Sequence, residues 1–143
     1  MKWVAGTWTS EDWAAWVSQS PWDFPYDHEG YADALGQTWG AMVSEGFAWP
    51  VAYRRKGLFW TAYLPFGIQQ WGPVGVNAGR ASALVEAAAA LPGRFTKVDV
   101  QVHKPLDWVV PGSGWRRKGL RIERWSEKPN YVLDISGSYE KVH

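Results

Sequence analysis

The sequence contains no cysteine, which excludes a disulfide framework, a Cys-ligated metal and a thiol nucleophile. No apolar run approaches the roughly 18 residues that a membrane span requires. Residues 1–8 carry a lone lysine and lack the long apolar core of a signal peptide. The expectation is a cytoplasmic protein without a membrane span. An excess of either charge is missing too: fifteen Lys and Arg against fourteen Asp and Glu leave a net charge of +1. Whole-chain electrostatics therefore favour no polyanion, and nucleic acid is not an expected partner. The three histidines, His28, His103 and His143, have no ligand-like spacing, so no metal site is expected. Gly112-Ser113-Gly114 lacks the Gly-x-Ser-x-Gly elbow, and no Ser-His-Asp set can be inferred. No linker or low-complexity stretch divides the 143 residues, which are enough for one domain with a real core.

What the chain has in abundance is tryptophan, twelve residues, with six Tyr and five Phe. Trp combines a large apolar area with one N–H that wants a partner, so it suits cores, clefts and interfaces alike. The most unusual stretch is Leu64 to Gly75, apolar and aromatic yet broken by Pro65, Gly67, Gly72, Pro73 and Gly75. Neither a strand nor a helix continues through such a segment. An aromatic strand, Leu58 to Leu64, enters this loop and a helix capped by Asn77 leaves it. That arrangement can turn backbone N–H groups toward an anion or a carbonyl. The ligand site is expected here, with Tyr63, Phe66, Gln69, Gln70, Trp71 and Gly72 as candidate substrate-binding residues.

The remaining elements follow from periodicity. Residues 2–8 alternate weakly and predict a first strand. Thr9-Ser10-Glu11-Asp12 fits a helix start, with Trp13, Trp16 and Val17 at helical spacing up to about Gln19. Residues 21–27 are extended or turning, and a short helix from about His28 places Tyr31, Ala34 and Leu35 on one face before Gly36. Trp39 to Val43 alternates, Ser44-Glu45-Gly46 turns, and Phe47, Trp49, Val51 and Tyr53 alternate again. Pro50 in that run predicts an edge position or a bulge. Arg54-Arg55-Lys56-Gly57 reads as a charged turn. Beyond the loop, a helix over 78–90 carries the stripe Ala81, Leu84, Val85 and Ala88. In residues 95–102, Val98, Val100 and Val102 face the core while Lys97, Asp99 and Gln101 point away. Residues 104–114 form a loop or broken helix, and strands are expected at 120–122 and 131–135. Arg-Arg-Lys-Gly-Leu occurs at both 54–58 and 116–120, read as two charged turns and not a repeat. The fold class is α+β (mixed α/β), helices flanking a mostly antiparallel sheet of about six to seven strands.

This element order resembles the GNAT acyltransferase fold. Three segments resemble, more narrowly, the N-terminal half of FemAB-like proteins: Trp49-Pro50-Val51-Ala52-Tyr53-Arg54-Arg55-Lys56-Gly57, then Pro65-Phe66 followed by Gln69-Gln70-Trp71-Gly72, then Pro129-Asn130-Tyr131-Val132-Leu133-Asp134-Ile135-Ser136 with Tyr139. The resemblance implies acyl or aminoacyl transfer to an amine, with a second GNAT-like domain or a second copy of this chain as partner and an amine-bearing or peptide acceptor. It also implies that the chain is half of a longer protein or a stand-alone relative of that half. In GNAT enzymes a Gln/Arg-x-x-Gly-x-Gly/Ala segment holds the pyrophosphate of CoA. Gln69-Gln70-Trp71-Gly72-Pro73-Val74 departs from it, since Val74 replaces a small residue and Pro73 lacks an N–H. The acyl-CoA site is therefore expected to be degenerate.

Each candidate has a plainer reading. Gln69 and Gln70 can bind a substrate amide or satisfy the loop's own backbone. Trp39, Trp49, Trp60, Trp71, Trp108, Trp115 and Trp125 can line a cleft, or fill the core or a docking face. A saccharide-binding module without catalysis is the alternative function. The basic runs at 54–56 and 116–118 fit solvated turns better than a phosphate site. Asp99 and Glu86 have the residue type of a general base and nothing more.

Overall fold

The computed structural model describes residues 1–5, 10–28, 30–34, 36–103, 107, 116–117 and 120–121. Eleven elements follow in chain order: β1 (Lys2–Ala5), α1 (Ser10–Ser18), a 3-10 turn (Pro25–Asp27), α2 (Tyr31–Ala34), β2 (Trp39–Ser44), β3 (Phe47–Lys56), β4 (Phe59–Tyr63), α3 (Ala81–Ala90), β5 (Phe95–Asp99), β6 (Arg116–Arg117) and β7 (Leu120–Arg121). The main sheet has the order β1-β2-β3-β4-β5, and β6-β7 form a separate two-stranded ribbon. All neighbours of the main sheet are antiparallel except β4 and β5, which run parallel across α3. The class is α+β. Among the described residues no helix is long and apolar enough to cross a membrane.

Alternation along β3 builds two cores. Phe47, Trp49, Val51 and Tyr53 join Met42, Trp60, Ala62 and Phe95 on one face, under Leu84, Ala87 and Leu91. Ala48 faces the other way with Ala41 and Val43, against Trp13 and Val17 of α1 and Val74 of the loop. Ala52, Ile68 and Trp71 continue that second layer. On the first face Trp3 reaches from β1 to within 5.8 Å of Tyr53 and 5.1 Å of Phe95, ring centre to ring centre. Gly40 makes this possible, because a Cβ there would lie 2.5 Å from Cζ2 of Trp3. Each such aromatic pair adds about 0.5–1.5 kcal/mol beyond its buried area.

Several sequence expectations are corrected. Arg54-Arg55-Lys56 is the end of β3, and the turn is Gly57-Leu58. A two-residue turn lets the strand run further than a four-residue one. Pro50 lies in the central strand without a bulge in its pairing to β2, and on its other side, where β4 reaches only to Ala52, it occupies a local edge. The missing N–H costs little there, because Ala48 and Ala52 on either side pair with Val74 and Tyr63 respectively, and Pro50 falls in the gap between them. Asn77 does not cap α3: its Nδ2 donates to the Glu45 carbonyl, and the helix starts at Ala81 after Arg80. Residues 25–27 form a 3-10 turn with Pro25 at its start, and the following helix is only Tyr31–Ala34. The ladder of β5 ends at Asp99, although Val100 and Val102 still pack on the core. Arg116-Arg117 pairs with Leu120-Arg121 instead of turning. The remaining expectations at 104–106, 108–115 and 131–135 lie outside the described residues.

Candidate functional site

The loop from Leu64 to Ala78 folds back over the α1 face of the sheet. Its backbone is held by the Ala48–Val74 bridge, with N···O distances of 2.9 and 2.8 Å, and by Asn77 N–H to the Gly46 carbonyl at 2.9 Å. Trp71 N–H donates to the Gln101 carbonyl at 2.8 Å, and Gly75 N–H to Ser20 Oγ at 2.8 Å. Trp22 Nε1 donates to the Pro73 carbonyl at 3.2 Å. The N–H groups of Trp71, Val74, Gly75 and Asn77 are thus consumed inside the fold. At the start of α3, Ala81 N–H donates to the carboxylate of Asp107 at 2.6 Å, a placement the helix dipole favours.

Beneath this loop lies a buried acid–imidazole pair that periodicity does not reveal. Asp27 is 1% exposed and His103 5% exposed, with Oδ2 of Asp27 3.6 Å from Nε2 of His103. The ring of Phe24 stacks on His103 at 4.3 Å, Trp22 tilts against it at 5.0 Å, and Gly72 fits its edge. A Cβ on Gly72 would lie 2.4 Å from Cδ2 of His103, so only glycine fits there without displacement. Trp13 Nε1 donates to the main-chain carbonyl of Asp27 at 2.6 Å. Among the described residues neither carboxylate oxygen of Asp27 and neither ring nitrogen of His103 has a hydrogen-bond partner. Burial raises the Asp27 pKa, and the nearby imidazole of His103 opposes the rise. Such a pair has the groups for proton transfer, but it is closed to solvent.

The candidates from the sequence divide between two regions. Gly72 and Trp71 are buried, Gly72 on His103 and Trp71 5.8 Å from Trp39, ring to ring. Gln70 is half-buried and Gln69 exposed, while Phe66 stands 99% exposed. Tyr63 packs against the Ala52, Ile68 and Trp71 layer and lines an open cleft of about 630 Å³ with Gly36, Gln37, Thr38, Tyr53, Arg54 and Arg55. There its hydroxyl donates to Oε1 of Gln37. The Arg54 guanidinium lies 4.5 Å over the Tyr63 ring, and Arg55 lies 4.8 Å over Trp60 while donating to the Tyr53 hydroxyl at 3.2 Å.

Sequence reasoning missed Asp27 and passed over His103 for want of spacing. The available signal was weak: Asp27 closes the aromatic-rich segment Trp22-Asp23-Phe24-Pro25-Tyr26-Asp27, and His103 follows the alternating run Val98, Val100 and Val102. Asp99 and Glu86 are exposed, and Asp99 stands 3.9 Å from Lys97. Among the described residues no three His, Asp or Glu side chains gather as a metal site would require. Compared with family models, curated proteins and solved structures, the chain matches none of them.

Proposed function

We propose that this chain is a GNAT-like domain of a FemAB-type N-acyltransferase, with a degenerate CoA site and a role in acceptor binding or domain docking. The observation that carries the reading is the order of elements from β1 to β5, with the shaped loop set between the fourth strand and the helix that follows it. A degenerate CoA site is supported by the hydrogen bonds already made there. A pyrophosphate cradle needs free main-chain N–H groups at a helix N-terminus. Here the loop's amides at Trp71, Val74, Gly75 and Asn77 are paired, and the Asp107 carboxylate already sits on the first turn of α3. A docking role is supported by Phe66, a large ring held in solvent at the loop.

The saccharide-binding alternative needs several flat, solvent-facing indoles. Trp13, Trp49, Trp60 and Trp71 are buried, and Trp3, Trp16, Trp22 and Trp39 are half-buried. None of the described tryptophans is exposed, so the first reading is favoured. The test is a thiol-release assay on purified residues 1–143 with acetyl-CoA and a panel of amines, beside the product of the native locus sized by mass spectrometry. No turnover by residues 1–143 alone is expected. Robust acetyl-CoA turnover by this chain overturns the reading.

A further inference from the structure

The cleft beside Tyr63 lies where one edge of β3 loses its neighbour. Tyr53 N–H donates to the Thr38 carbonyl at 2.9 Å, so the main chain of residue 53 faces β2. In an antiparallel ladder residues two apart face the same edge, so Arg55 also turns its N–H and C=O toward the β2 side. Its partner across β4, Trp60, donates its own N–H to the Arg94 carbonyl at 2.8 Å, away from β3. β2 does not extend far enough to meet Arg55. Thr38 is the last residue to meet β3 on this side, and at Gly36 the chain makes a left-handed turn with φ +63. Among the described residues nothing pairs with the β2-side N–H and C=O of Arg55, so one strand position presents an open donor and an open acceptor at the wall of a cleft.

The charges at that position are arranged around the same edge. Consecutive residues of a strand point to opposite faces, so Arg54 and Arg55 flank the edge from its two sides. Each guanidinium is laid on a ring, Arg54 on Tyr63 and Arg55 on Trp60. Stacking of this kind fixes the fork while leaving N–H donors for a planar carboxylate. Among the described residues no acidic side chain lines the cleft, and neither arginine has a carboxylate within ion-pair distance. Exposed cations also blunt a sheet edge against self-association, but that role requires neither ring-held guanidiniums nor a walled cleft.

We propose that this free edge of β3 binds the C-terminus of a short peptide, its carboxylate between Arg54 and Arg55 and its last amide paired with the main chain of Arg55. A free oxyanion satisfies only the donors, since it has no N–H to give the Arg55 carbonyl. A peptide terminus satisfies both, by the main-chain pairing of strand addition joined to carboxylate capture. The proposal does not depend on the acyltransferase reading, because it uses none of that site's residues except Tyr63.

The test is a backbone-amide NMR titration of the whole chain at matched ionic strength. The probes are N-acetylglycylglycine, its C-terminal amide, and inorganic phosphate. Saturable shifts at the amides of Thr38, Arg54 and Arg55 are expected with the free carboxylate. The amidated probe is expected to bind about tenfold or more weakly, as are the Arg54→Gln and Arg55→Gln proteins, from the loss of a charge-assisted fork. Arg94→Gln, whose guanidinium lies on Trp60 outside the cleft lining, is expected to leave affinity unchanged. Should Arg55→Gln fail to fold, Arg54→Gln carries the comparison. Equal response to phosphate, equal response to the amidated probe, or no localised shift each overturns the proposal.

Discussion

The two regions that hold the chain's polar chemistry solve opposite problems. Asp27 and His103 are sealed beneath Phe24, Trp22 and Gly72, with four polar atoms that lack hydrogen-bond partners among the described residues. Arg54 and Arg55 stand in an open cleft, each resting on an aromatic ring. Burial makes the first pair energetically expensive to disturb, since an uncompensated charge out of water costs several kcal/mol. Solvent screens the second pair, so its removal costs the fold little. The difference separates residues whose burial couples them to the fold from charged residues left at the surface, although the loop and Tyr63 adjoin in sequence.

The largest expected effect comes from breaking the sealed pair. His103→Ala removes the stack on Phe24 and leaves Asp27 buried without its counter-group, which is expected to cost about 3–5 kcal/mol of unfolding free energy. Urea unfolding at neutral pH measures it, and a loss within experimental error would show that the pair is not coupled to the fold. The same variant is expected to lose less at acidic pH, where Asp27 is protonated and no longer buries a charge.

A second experiment sharpens the comparison through pH. Burial raises the pKa of Asp27, with Asp23 adding to the rise and His103 and His28 opposing it. A raised folded-state pKa means that protonated Asp27 is the form the fold prefers. Its contribution to stability is full below the ordinary aspartate value of 3.8 and is lost as pH climbs through the raised value. Asp27→Asn, which cannot ionise, is expected to flatten that part of the stability-against-pH curve. Unfolding midpoints across acidic to neutral pH check this, and parallel curves for the two proteins would contradict it.

The smallest effect is expected at the open cleft. Arg54→Gln exposes no buried group and breaks no ion pair with any described residue. Its stability is expected to stay within about 0.5 kcal/mol of the parent. A larger loss by the same urea measurement would mean that the Arg54–Tyr63 stack supports the fold and is not merely held ready.

Much of the sheet was legible because strand alternation is a local pattern. Phe47, Trp49, Val51 and Tyr53 share a face whatever surrounds them, and the structure puts all four in one core. The loop at 64–75 was legible through its prolines and glycines. Its internal hydrogen bonding was not, because the partners of Trp71, Val74 and Gly75 are Gln101, Ala48 and Ser20, all remote in sequence. The strand end at Arg54–Lys56 was misread because charge resembles a turn in one dimension. On the structure those residues ride an exposed strand end whose neighbours are aromatic.

The sequence by itself determined the α+β class, the β2–β3–β4 meander, the alanine-rich helix that follows the loop, and the absence of any cysteine chemistry. Each is set by composition or by a repeat of two or about four residues, which the chain carries locally. Only the tertiary structure decided that Asp27 meets His103, that Gly72 makes room for the imidazole, and that β2 stops short of Arg55. Those three depend on which segments lie side by side. That is fixed by the packing of both sheet faces at once, and no local pattern in the chain encodes it.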